Sequence, residues 1–119
     1  MKKISYEGFN EKVITFNCTN EVTAGAPVRF SDDDTVTVSG DGEEFIGVAL
    51  SARDGLAAVQ LCGTVELPFD GTQPVCGFNL LFAGEDGAIA VCDDDGDTAA
   101  RRLLVLAVDT VNETCVVLL

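Results

Sequence analysis

Apolar and polar positions alternate along this chain in short runs, and clusters of Gly, Asp, Asn and Pro break the runs. Such period-two runs, bounded by turn residues about every 8–12 positions, predict a small sandwich or barrel. The longest stretch of this kind is 45–67, FIGVALSARDGLAAVQLCGTVEL. It reads as an apolar strand, a tight polar turn at 51–55 and a long apolar return. Before it, Val13, Ile14, Thr15 and Phe16 have the β-branched and aromatic character that a pleated, half-buried surface accepts. Residues 23–27 form a turn, and Pro27, with no N–H to give, must begin a strand or lie on an edge. Short strands at 28–30 and 35–38 follow, separated by the turn Asp32-Asp33-Asp34. Beyond 67, the stretch 68–74 contains two prolines and an Asp-Gly, and reads as the midpoint connection. Further strands are predicted at 78–82, 88–92, 103–108 and 114–119. Asp97 could cap a helix over 98–107, but Leu103-Leu104-Val105-Leu106 suits a strand better and leaves room for one helical turn at most.

The two halves resemble each other. Ala24-Gly25-Ala26-Pro27-Val28-Arg29-Phe30 overlays Cys76-Gly77-Phe78-Asn79-Leu80-Leu81-Phe82. Gly47-Val48-Ala49-Leu50 overlays Val105-Leu106-Ala107-Val108, and Ala58-Val59-Gln60-Leu61 overlays Val116-Val117-Leu118-Leu119. The expected fold is therefore all-β: a small β-barrel domain built from an internal duplication, with little or no helix. Its organisation is an N-terminal arm, 1–12, and a single β domain, 13–119. Within that domain, repeat 1 spans about 22–67, a linker 68–74, and repeat 2 about 75–119. The hairpins ending the repeats should pack together as the core. That places Ile46, Val48, Leu50, Val59 and Leu61 against Leu104, Leu106, Val108, Val117 and Leu119.

At 119 residues the chain suits one continuous core, and a 47% hydrophobic fraction is ample to fill it. Twenty acidic residues against seven basic give a formal charge of −13. That field repels nucleic-acid backbones and anionic lipid, so neither is an expected partner. No apolar run approaches the roughly 18 residues of a membrane span. Met1-Lys2-Lys3 resembles the start of a signal peptide, but Glu7, Asn10, Glu11 and Lys12 interrupt the apolar stretch that should follow. The chain is expected to stay in the cytosol, or in a particle assembled there, and the sequons at Asn17 and Asn112 are then accidental.

Chemistry-bearing motifs are scarce. Without histidine the chain lacks the commonest general base and metal ligand. Cys18, Cys62, Cys76, Cys92 and Cys115 have no metal-ligand spacing and lie in or beside apolar runs, as reduced, buried cysteines do. Asp93-Asp94-Asp95-Gly96-Asp97 fails the calcium-loop pattern, because glycine comes at the fourth position instead of the sixth. A solvated, self-repelling turn is the expected state. Glu66 and Asp109, by alternation, should face outward. Arg101-Arg102 reads as an intersubunit anchor or as an offset to the acidic run before it.

Three phrases carry a resemblance: Val22-Thr23-Ala24-Gly25-Ala26-Pro27-Val28, Phe45-Ile46-Gly47-Val48-Ala49-Leu50, and Ala57-Ala58-Val59-Gln60-Leu61-Cys62-Gly63-Thr64-Val65-Glu66-Leu67-Pro68. They resemble small duplicated proteins encoded among tailed-bacteriophage head genes, which are similar in turn to lambda-type head decoration proteins, so the resemblance implies a β-clip-like version of the small all-β barrel. The resemblance implies a capsid decoration, or cement, protein: a homotrimer on the outer surface of an expanded head, clamping neighbouring major capsid subunits. It implies no catalytic residues and no cofactor, a virion location, and synthesis in the host bacterial cytoplasm. The family's capsid contacts involve an N-terminal arm, which here would be Lys2, Lys3, Ile4, Ser5, Tyr6 and Phe9. A basic, aromatic-bearing arm on an acidic body could add a strand to a capsid sheet edge. An alternative from another class is a β-clip module binding carbohydrate or a metabolite, with Tyr6, Phe69 and Phe78 lining a groove. A chain with no Trp and one Tyr is poorly equipped for sugar stacking. An enzyme working through paired carboxylates would need two acids converging in a deep pocket.

Overall fold

The computed structural model describes residues 12–94 and 96–119. The chain is all-β and duplicated. Ten strands run in order β1 (Lys12–Cys18), β2 (Pro27–Asp32), β3 (Thr35–Val38), β4 (Gly47–Arg53), β5 (Leu56–Cys62), β6 (Thr64–Asp70), β7 (Gly77–Ala83), β8 (Ile89–Val91), β9 (Arg101–Asp109) and β10 (Thr114–Leu118). A single 3-10 turn, Glu85–Gly87, is the one helical element among the described residues. The candidate helix over 98–107 is instead the entry to β9.

Two five-stranded barrels close separately. The first has the order β1-β3-β2-β4-β5 and the second β6-β8-β7-β9-β10, each closing back on its first strand. The topologies match strand for strand. In each barrel the first strand runs parallel to the third, and every other pair is antiparallel. The structural repeats are therefore 12–62 and 64–118, and these differ from the 22–67 and 75–119 read from the sequence. Strand β6 begins the second unit; it pairs with β10 and β8 and with no strand of the first barrel. Residues 68–70 are thus not linker. Phe69 N–H donates to Glu113 O at 3.0 Å, toward β10. The N–H that Pro68 lacks falls on the opposite side, before the β8 ladder begins at Phe69, so the proline costs no ladder bond. The crossover between barrels is Gly63 alone, at φ +91°.

Local chemistry fixes the turns. Asp54 and Gly55 both have positive φ, the signature of a two-residue type I′ turn whose twist suits β4 and β5. Asp32 accepts the Asp33 N–H at 2.8 Å to close the β2–β3 turn. At the β9–β10 turn, Asp109 accepts N–H groups from Val111 (3.0 Å) and Asn112 (3.1 Å) and the Asn112 side-chain amide (2.8 Å). Those bonds hold the exposed Asp109 carboxyl below its usual pKa, the Asn112 backbone bond most of all.

The expected packing of one hairpin on the other does not occur. Each barrel encloses its own cluster. Val22, Val28, Val36, Ala49, Ala57 and Val59 fill the first, with Ile46 and Leu61 against it. Leu67, Leu81, Ile89, Leu103, Val105, Cys115 and Val117 fill the second, with Val108 and Leu119 against it. Of the residues expected to meet across the repeats, only Val48 crosses: it joins the second cluster, together with Phe45. Leu50, expected inside, is 41% exposed. Leu104 and Leu106 are half-buried, while Leu103 and Val105 face in. One device explains both departures. In the β4–β5 ladder, Ala49 and Ser51 oppose consecutive residues Val59 and Ala58, so Leu50 is an extra, bulged residue. In the β9–β10 ladder, Val105 and Ala107 oppose Val117 and Val116, so Leu106 is bulged in the same way. A bulge shifts the inward phase by one residue and adds the bend that a tight barrel needs. Aligned on their bulges, Leu50 matches Leu106, whereas the sequence overlay matched Leu50 to Val108.

Candidate functional site

One open depression among the described residues brings opposite charges together. Arg29 on β2 faces Glu43, with Arg29 Nε 3.3 Å from Glu43 Oε2. Glu43 is held by a second bond, its Oε1 accepting the Gly40 N–H at 2.7 Å. Around this pair lies an open depression of about 350 Å³, lined by Arg29, Gly42, Glu43, Glu44, Thr98 and Ala99. One cation and two carboxylates on an open surface offer electrostatic contact.

The acidic turns serve their own backbones. Asp94 accepts the Gly96 N–H at 2.9 Å and Asp97 the Ala99 N–H at 2.9 Å. Among the described residues no group of three His, Cys, Asp or Glu side chains is placed to hold a metal ion. Asp95 lies outside the described residues. Glu66 and Asp109 are exposed. Cys92 and Cys115 are buried, Cys18 and Cys62 half-buried, and Cys76 exposed.

The Cys115 thiol is pushed up to about 11, first by burial and then by the Glu66 carboxylate. Its ordinary value is 9.0. Below that pH both folded and unfolded chains hold the proton, and the thiol contributes no pH dependence. From about pH 9 to 11 the unfolded chain releases it and the folded chain keeps it, so stability falls as pH rises. The slope is about 1.4 kcal/mol per pH unit. Urea melts of wild type and Cys115→Ala from about pH 8 to 11 should diverge in slope above pH 9. Parallel profiles would show that Cys115 ionises freely in the folded chain.

The two consecutive arginines opening β9 part company. Arg101 turns toward the first barrel. One of its Nη atoms donates to Phe45 O (3.3 Å) and Ile46 O (3.4 Å), and its guanidinium lies 5.3 Å from the Phe45 ring centroid. Burial lowers its pKa. It is an intrachain clamp, reinforced by backbone bonds from Gly42 N–H to Ala83 O (2.7 Å) and from Ala83 N–H to Glu43 O (2.9 Å). Arg102 turns outward and stacks over Phe78, 4.3 Å from the ring centroid.

Phe78 belongs to an apolar outward-facing strip of the second barrel. Cross-strand pairing sets it beside Leu104, and Leu104 beside Leu118; Leu80 pairs with Arg102 in the adjoining row. Phe78 is 57% exposed, and the three leucines are half-buried. Hydrophobic alternation alone does not reveal this strip, because it assigns Leu104 to the core. Phe69, expected to share a groove with Phe78, is half-buried and packs against the second core. The arm residues Lys2, Lys3, Ile4, Ser5, Tyr6 and Phe9 lie outside the described residues.

No protein-family model matches the chain, and no curated protein matches it significantly.

Proposed function

We propose that this chain is a structural virion protein that binds the outer surface of an expanded phage capsid as a homotrimer and clamps neighbouring major capsid subunits. In this reading it is not an enzyme and takes no cofactor. The observation that carries the proposal is where the chain spends its apolar surface. Two closed barrels are locked to each other, and the apolar residues left over stand on outward sheet faces and turn tips, among them Phe78, Phe30 and Val111. Such a surface suits contact with broad protein faces better than enclosure of a small molecule. The resemblance adds support, since its three phrases fall on the entry to β2, on the segment from Phe45 into β4, and on β5, the crossover and β6.

The arm supplies the test. Co-sedimentation with expanded heads should bring the full chain down with the capsid, and deletion of residues 1–9 should abolish binding while the body stays folded. Many weak contacts add by avidity, so loss of the arm is amplified over an oligomer. Undiminished decoration by the truncated chain would remove the arm from the mechanism. Failure of the full chain to bind expanded heads would remove the capsid reading altogether.

A further inference from the structure

The duplication puts equivalent residues into unequal surroundings. Counted from the two bulges, the outer face of the first barrel carries a cross-strand row of Pro27, Val48 and Gln60 on β2, β4 and β5. The same count on the second barrel gives Phe78, Leu104 and Leu118 on β7, β9 and β10.

The first row is buried by the second barrel. Pro27 and Val48 are fully buried and Gln60 is 3% exposed. Val48 sits in the second barrel's apolar cluster. The Gln60 amide donates to Thr64 O, at the start of β6, at 2.9 Å. Next to Pro27, Ala26 lies 4.0 Å from where a Gly87 side chain would begin. The second row has Phe78 more than half exposed and both leucines half-buried, with Arg102 beside it.

We propose that the row formed by Phe78, Leu104 and Leu118 is a self-association surface, covered in solution by a second copy of this chain. Two independent observations select that occupant. First, the structure already shows what covers this row when it is covered: another barrel of the same kind. The first barrel's row meets such a barrel, and among the described residues the second barrel's row does not. Second, the charge distribution restricts where two copies can meet. At −13 each, they repel over most of their surface. The row itself carries no acid; Arg102 lies on one side of it, its one close partner among the described residues being the Phe78 ring, and the exposed Glu66, paired with Val116, lies on the other. Arg102 is therefore placed to take a carboxylate from an acidic neighbour, and a second copy is one. The inference takes nothing from the capsid reading, since free protein can associate whether or not it binds heads.

The test is sedimentation equilibrium of the full chain over a dilution series, in wild type and in Leu104→Lys. A lysine lowers the net negative charge, so weaker association cannot be ascribed to added repulsion. Wild type should associate reversibly, and Leu104→Lys should weaken association by at least about tenfold. Leu56→Lys, at a half-exposed position on β5 of the first barrel and outside the row, should associate like wild type. Far-UV circular dichroism checks the fold; if Leu104→Lys is misfolded, Phe78→Ser, a charge-neutral change at an outward-facing position, replaces it. A wild-type chain that stays monomeric at every concentration overturns the proposal. So does an unchanged constant in the row variants. Unchanged association combined with lost capsid binding would assign the row to the capsid subunit instead, and likewise overturn it.

Discussion

Val48→Asp should abolish folding. Val48 is 1% exposed, and its side chain leaves the outer face of the first barrel to enter the apolar cluster of the second. That cluster includes Leu67, Leu81 and Ile89, all fully buried. Among the described residues no free cation is shown beside that point to pair with a carboxylate. Arg101, the half-buried cation at the barrel contact, is already engaged with the carbonyls of Phe45 and Ile46. An unpaired buried charge costs several kcal/mol, comparable with the whole stability of a small domain, about 5–15 kcal/mol. Burial would raise the pKa of the introduced carboxyl, so the penalty should ease as pH falls below that raised value. Val48→Ala removes only methyl groups and should cost about 1.5–3 kcal/mol. Urea unfolding followed by circular dichroism reads both, and a Val48→Asp chain with native-like stability at neutral pH would mean that Val48 does not lie between the barrels. Because Val48 serves the second cluster, the effect should spread beyond its own barrel: near-UV signals from phenylalanines of both halves should be lost together.

Gly47→Val should be nearly as damaging, for a steric reason. A Cβ built on Gly47 runs into the carbonyl of Gln60 and approaches Val59 Cγ1 to 2.9 Å. The first obstacle is backbone of β5, the strand that β4 crosses there, and cannot rotate away. Overpacking typically costs about 1–3 kcal/mol, and the upper end or beyond applies where backbone must move. Displacing Gln60 also endangers its bonds to Cys62 O (3.1 Å) and Thr64 O, which brace the crossover into the second barrel. Gly55 makes an informative contrast. Its φ is +77° and nothing lies within 4 Å of where a Cβ would stand, so Gly55→Asn, which tolerates left-handed backbone, should cost well under the Gly47 change. Equal losses at the two glycines, measured by urea midpoint, would show that space at the β4–β5 crossing is not what Gly47 provides.

Both predictions turn on the region where the barrels join, and its contacts are the least legible in the sequence. Periodicity gives Val48 as apolar and inward-facing, but inward to what depends on a second barrel closing beside the first. The candidate chemistry is similarly divided. That Asp32, Asp94 and Asp97 sit in turns is readable from their glycine and aspartate neighbours; that their carboxylates cap local N–H groups requires geometry. Arg101 and Arg102 are adjacent and alike in sequence, and strand alternation sends one into the barrel contact and the other to the surface.

That this protein is all-β follows from its residues alone, because strands and turns are local: β-branched runs, Asp-Gly and Asp-Asp turns, and a proline that starts β2 act within a few residues. So does the duplication, because two similar strings of local preferences must fold alike. Tertiary structure decided where the repeats begin, since β1 and β6 share little sequence and are matched only by the partners they pair with. It decided the inward phase of β4 and β9, because a bulge is fixed by the curvature of a closed barrel and leaves no dependable mark in a hydrophobic pattern. It also decided that one outer row is buried and its equivalent is left on the surface. Two like barrels that dock through unlike faces cannot both cover the same row, so equivalent residues acquire different fates.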